Sequence, residues 1–141
     1  MIEVEGLEVV FGHGRDRTVA VGGVGFAVPE GAALGIVGES GSGKTTLLRA
    51  IAGLVPVAAG AIRVAGQALG PARDRAFRKL VQIVFQDPYG SLHPRHSVDR
   101  ILSEPLAIHR LGDRDARVRR GLAEVGLGPA FRFRYPHQLS G

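Results

Sequence analysis

With 141 residues, 45% of them apolar, the chain is long enough for one domain with a real core, short for two, and too apolar for a disordered polymer. A net charge of +5 permits anionic partners, but the arginines are scattered and aromatics are few, so a solvated basic surface accounts for it and no nucleic acid is expected. No cysteine is present to build a disulfide or a thiolate metal site, Met1 to Glu5 is no signal peptide, and no apolar run approaches the ~18 residues of a spanning helix, so a cytoplasmic chain with no transmembrane segment of its own is expected.

Residues 2–11 are β-rich and read as a first strand. The polar, Gly-rich stretch 12–17 is a loop. Residues 18–28 resume strand periodicity, interrupted at Gly22 and Gly23, and Pro29 to Gly31 turn the chain. The run Ala32 to Val37 has the texture of a strand buried on both faces of a parallel sheet. A Gly-rich loop comes next, and then a helix over 45–52 with Leu47, Leu48 and Ile51 on one face. Ala61 to Ala65 reads as a strand ending at Gly66, 72–79 as a short charged helix, and Leu80 to Phe85 as a second buried strand. Asp87 to Ser91 is a turn. Ser97 is placed to cap a helix carrying Val98, Ile101 and Leu102, broken at Pro105. Asp113 is placed to cap another, in which Val118, Leu122 and Val125 repeat at helical spacing until Gly126. The expected organisation is β-rich over 1–85 and helical over 86–141.

The loop Gly38-Glu39-Ser40-Gly41-Ser42-Gly43-Lys44-Thr45 matches G-x-x-x-x-G-K-S/T at every fixed position, with Thr46 behind it. Such glycines let successive backbone N–H groups converge on an anion, and the helix start adds unpaired N–H groups and the positive end of its dipole. Lys44 supplies a charge for the β- and γ-phosphates, and the Thr45 hydroxyl a hard oxygen for Mg²⁺. Strand, Gly-rich loop and helix in that order turn a pattern into a phosphate-loop reading, with ATP and Mg²⁺ as the expected ligands. Glu39 is accommodated if its side chain faces solvent. A phosphate loop alone leaves ATPases, GTPases and small-molecule kinases open.

Three further segments narrow the choice. Phe11 precedes the loop, Val81-Gln82-Ile83-Val84-Phe85-Gln86-Asp87 stands after it, and Tyr135-Pro136-His137-Gln138-Leu139-Ser140-Gly141 comes last. In this order they resemble the ATP-binding subunits of ABC transporters. Phe85 to Arg95, Ser103-Glu104-Pro105-Leu106 and Arg132 to Gly141 are most similar to the dipeptide, oligopeptide and nickel importer branch. The resemblance implies an α/β fold, a P-loop NTPase core of ABC type, with an N-terminal antiparallel β subdomain and the beginning of a helical subdomain around an incomplete sheet. It implies that Phe11 stacks on adenine and that Gly38 to Thr46 hold the phosphates. It implies that Gln86 touches Mg²⁺ and the attacking water, Lys44 and Gln86 being the catalytic residues of this chain. Leu139, Ser140 and Gly141 begin the signature that meets the nucleotide of a second ATP-binding subunit, as homo- or heterodimer. Transmembrane permease subunits are the other implied partners, and the implied location is the cytoplasmic face of a membrane.

The same resemblance implies residues not found here. No Asp or Glu comes after an apolar strand in the manner of Walker B, so the sequence reads as an N-terminal fragment that binds nucleotide and hydrolyses it poorly. A sheet lacking that strand is expected to expose an apolar edge. A non-catalytic nucleotide-binding or docking module, and a soluble P-loop ATPase or kinase, are the competing readings. His93 and His96 stand three apart with no carboxylate or third His close by, so a surface facing a partner is expected there and a metal is not.

Overall fold

Even spacing of apolar residues makes β1 (Ile2–Phe11) and β2 (Thr18–Val28), antiparallel neighbours that pair from Ile2 with Val28 to Phe11 with Thr18. The computed structural model describes residues 1–70 and 74–139, the side chains of Pro88 and Tyr89 apart. These residues fall into two compact units, Met1–Gln82 and Ile83–Gly141.

In the first unit the sheet order is β2-β1-β3-β4, antiparallel throughout, with β3 at Ala59–Val64 and β4 at Gln67–Ala68. β1 buries Val4, Leu7 and Val9, although Val4 and Leu7 are three residues apart and strict alternation would send one of them outward. The register slips between them, where Gly6 takes φ 54°, and this bulge returns both side chains to the same face. Ala65 and Gly66, both at positive φ, make the two-residue turn from β3 to β4. Helix α1 (Lys44–Ile51) packs on β1 and β2 through Leu47, Ala50 and Ile51, which share one face at i, i+3 and i+4. Leu48, expected on that face, is exposed, and Ala50 takes its place.

Two expected strands do not form. Ala32 to Val37 joins no ladder among the described residues; Ile36 packs against the core, but Val37 is 91% exposed. Leu80 to Phe85 fails for two reasons. Its start belongs to helix α2 (Arg75–Leu80), which Asp74 caps by accepting from the Phe77 N–H at 2.7 Å. The remainder, Val81 to Phe85, joins no ladder among the described residues, and Val84 is 96% exposed. Apolar composition supplies the propensity of a strand, but its N–H and C=O groups need a neighbouring chain, and the antiparallel sheet offers none to either segment.

The second unit is helical. After the single turn α3 (Pro88–Ser91), Ser97 accepts from the Arg100 N–H and begins α4 (Val98–Ile108). Pro105 does not break this helix: it lies in the last turn, where one lost N–H is all it costs before the end. In α5 (Arg114–Glu124), Asp113 occupies the capping position but at φ 51° its side chain caps nothing, and only its carbonyl accepts, from Arg117. Val118 and Leu122 pack with Val98, Leu102, Leu106, Phe131 and Leu139, while Val125, expected beside them, falls past the helix end and is exposed. The Arg132 side chain, only 15% exposed, ties the segments together. Its guanidinium reaches Asp99 on α4 at 2.6 Å and Asp115 on α5 at 2.7 Å. The Val98 N–H donates to the Arg134 carbonyl at 2.9 Å.

Candidate phosphate-binding site

The loop 38–43 arrives from the unpaired apolar segment and ends where Gly43, at φ 87°, opens α1. No side chain caps that helix start. The first-turn N–H groups are therefore available to an oxyanion, in the field of the helix dipole. A concavity of about 160 Å³ lies there, lined by residues 41–46 and by Ala20 of β2.

Gly43 is dictated by β2 as well as by any ligand. A Cβ at this position would collide with the Ala20 carbonyl oxygen. The floor of the concavity is thus a strand backbone pressed against the loop. Sequence reasoning missed Ala20, because its contribution is a main-chain atom and a small volume, neither of which leaves a motif.

Lys44 is held at this mouth by its own loop. Its Nζ donates to the Gly38 carbonyl at 2.8 Å, the Glu39 carbonyl at 2.5 Å and the Ser42 hydroxyl at 3.2 Å. Three donors on three acceptors fix the ammonium. Glu39 contributes its carbonyl inward and is exposed, as are Ser40 and Ser42, while Thr46 is half-buried and lines the concavity with Thr45. The donor set fits a polyphosphate: free helix N–H groups, a fixed ammonium and two hydroxyls. It also fits Mg²⁺, which takes one or two protein oxygens and fills its shell with phosphate and water.

Phe11 ends β1 opposite Thr18 and is 44% exposed, so core packing does not account for it. Thr18 precedes by two residues the Ala20 whose carbonyl meets Gly43, a distance of roughly 7 Å along a strand. The register therefore brings an exposed aromatic ring and the phosphate loop to the same end of the β1–β2 pair. Gln86 is exposed and belongs to the second unit, so it is not assembled with the loop inside one unit. Leu139 packs half-buried on the second core; Ser140 and Gly141 lie outside the described residues. The rings of His93 and His96 stack at 3.8 Å, and among the described residues no group of three His, Cys, Asp or Glu could hold a metal ion. Among them, too, no helix is long and apolar enough to cross a membrane.

The profile of the family described as ABC transporter matches residues 21–141. The peptidoglycan transport ATP-binding protein YejF of Agrobacterium fabrum is 45% identical over 133 residues, 89% of this chain and 24% of that protein. The oligopeptide transport ATP-binding protein OppF of Streptococcus mutans is 40% identical over 149 aligned positions, 100% of this chain and 48% of its own length. The chain thus spans less than half the length of these curated relatives. Among solved structures, the dimeric bacterial ABC transporter cassette MJ0796 is similar at a TM-score of 0.80 and 26% identity, over 100% of this chain and 64% of that one.

Proposed function

Because this chain belongs to the ABC transporter family, we propose that it carries the ATP-phosphate grip of an importer's ATP-binding subunit and that the imported solutes are of the peptide class. The observation that carries the reading is the Lys44 ammonium fixed beside the uncapped start of α1. Phosphate oxygens enter the concavity and take the first-turn N–H groups, and the Lys44 ammonium exchanges loop acceptors for them. The Thr45 hydroxyl and the Gln86 side chain are the oxygen ligands offered to Mg²⁺. Phe11 stacks on the adenine. The names of YejF and OppF, peptidoglycan and oligopeptide transport proteins, support the peptide class of solute.

Transmembrane permease subunits and a second ATP-binding subunit are the proposed partners, with the protein peripheral on the cytoplasmic face of the membrane. In that assembly Leu139, Ser140 and Gly141 meet the nucleotide on the opposite subunit. The 141-residue chain by itself binds MgATP without steady-state turnover, because none of its carboxylates comes after an apolar strand beside the loop to hold the metal or orient water. Titration with a fluorescent ATP analogue in MgCl₂ tests the grip: Lys44→Ala weakens binding by roughly tenfold or more, since a charge-assisted contact is removed. Equal affinity in the variant refutes the site. Phosphate release by the chain that disappears in Lys44→Ala refutes the absence of turnover and leaves the site intact.

A further inference from the structure

The second unit holds a concavity that none of these roles uses. His96, Arg100, Ser103, Glu104, Ala107 and Arg114 line a volume of about 360 Å³ beside α4, where α5 begins. Arg100, Ser103, Glu104 and Ala107 succeed one another at i, i+3, i+4 and i+7, so they form one face of α4. Arg114 is the first residue of α5, and His96 directly precedes the Ser97 cap.

The charges on this face are unspent. Arg119, Arg120 and Arg132 each close an ion pair with a carboxylate. Arg100 and Glu104 stand at the i, i+4 spacing that ordinarily closes one, yet among the described residues neither they nor Arg114 makes an ion pair. Two guanidinium groups and one hydroxyl donor outnumber the single carboxylate. His96 reports on the same field. Its ring is stacked on His93, and its Nδ1 is buried without a hydrogen-bond partner among the described residues. Burial, then the positive Arg100 and the neighbouring His93 ring, push its pKa below the ordinary imidazole range, against the pull of Glu104.

We propose that this concavity binds an oxyanion, a carboxylate or phosphate group clasped between Arg100 and Arg114 with the Ser103 hydroxyl as a further donor. Guanidinium forks match the planar and tetrahedral arrangements of such oxygens. The site rests on the second unit alone and stands whether or not the phosphate loop binds ATP.

The experiment is an NMR titration of the whole chain, tracking the His96 ring resonances, with ionic strength held constant by NaCl. One arm adds sodium phosphate and the other a blocked acidic tripeptide, Ac-Glu-Glu-Glu-NH₂. The expected result is a saturable His96 shift and a rise in its pKa, because a bound anion offsets the field of Arg100. Arg100→Gln and Arg114→Gln each weaken binding by roughly tenfold, and Glu104→Gln strengthens it. Circular dichroism identifies any variant that loses its fold, and Arg114→Lys, which keeps the charge, then replaces Arg114→Gln and still weakens binding. Saturation by phosphate alone marks a free-ion site; saturation by the tripeptide alone, or by both, marks a seat for an acidic side chain of a protein partner. A shift that fails to saturate in both arms, or that is unchanged in both arginine variants, overturns the proposal.

Discussion

Gly43 and Lys44 do separable jobs although they are adjacent. Gly43→Ala drives a methyl group into the Ala20 carbonyl, so loop and β2 part together; a lower unfolding temperature accompanies the loss of MgATP binding. Lys44→Ala removes three donors from an exposed mouth and touches no core residue, so binding weakens while the unfolding temperature stays nearly unchanged. Differential scanning fluorimetry with and without MgATP separates the two outcomes. Phe11→Ala leaves the fold intact and weakens adenine nucleotides relative to inorganic triphosphate, whereas Phe11→Trp retains the preference. At this scale the loop was legible because its chemistry demands a fixed order of glycines, a lysine and a hydroxyl. Ala20 was illegible because it acts through its backbone.

Among elements, Arg132 joins α4, α5 and the segment beyond them. The hydrogen bond from Arg132 is the main influence holding the Asp115 carboxyl below the usual carboxylate range; burial, next in size, opposes it, and the positive fields of Arg119 and Arg132 add to the lowering. A carboxyl depressed on folding binds fewer protons in the native state than in the unfolded one. Its contribution is therefore complete above about pH 3.9 and is lost as pH falls through the native value. His96, also depressed, acts in the same sense from about pH 6.5 downward. The second unit should thus lose stability in two stages on acidification, seen as two slopes in the unfolding midpoint against pH. Asp115→Asn removes the lower slope and leaves the upper one. Arg132→Met lowers the midpoint by several degrees at neutral pH, because Asp99 and Asp115 both lose their partner. In the first unit Leu7→Ala opens a cavity at a fully buried position and costs about 2–5 kcal/mol, read from urea unfolding. Helices α1, α4 and α5 were legible from periodicity and from Ser97. The two parallel-type strands were misread because an apolar run carries no information about whether a partner lies alongside, Leu48 because a 3.6-residue period leaves edge positions ambiguous, and Val125 because the period does not say where the helix stops.

For the whole molecule, the unpaired segments are the exposed features of greatest consequence. Ala32 to Val37 carries no charge and no proline, and Val37 and Val84 are almost wholly exposed. Such segments pair with copies of themselves. Sedimentation velocity is expected to show concentration-dependent association of the 141-residue chain, reduced by Val37→Lys and further by Val84→Lys on top of it; a monomer at every concentration contradicts this. The ABC ATPase cassette fold was legible because three motifs in a fixed order constrain far more than any one of them, and the solved cassettes share it at a TM-score of 0.80. Strands β1 and β2 were legible too, from the alternation of their apolar residues.

Lys44 and Lys79 are the only lysines in the chain. The first has its ammonium engaged by Gly38, Glu39 and Ser42, while Lys79 sits exposed in the last turn of α2 with no such set of acceptors among the described residues. A reagent must reach the amine nitrogen, and at Lys44 three loop acceptors crowd it, so an amine-directed reagent should modify Lys79 quickly and Lys44 slowly. Each molecule therefore carries its own reference amine, and the ratio of the two labelled peptides in a mass spectrum reads the state of the loop without any added probe.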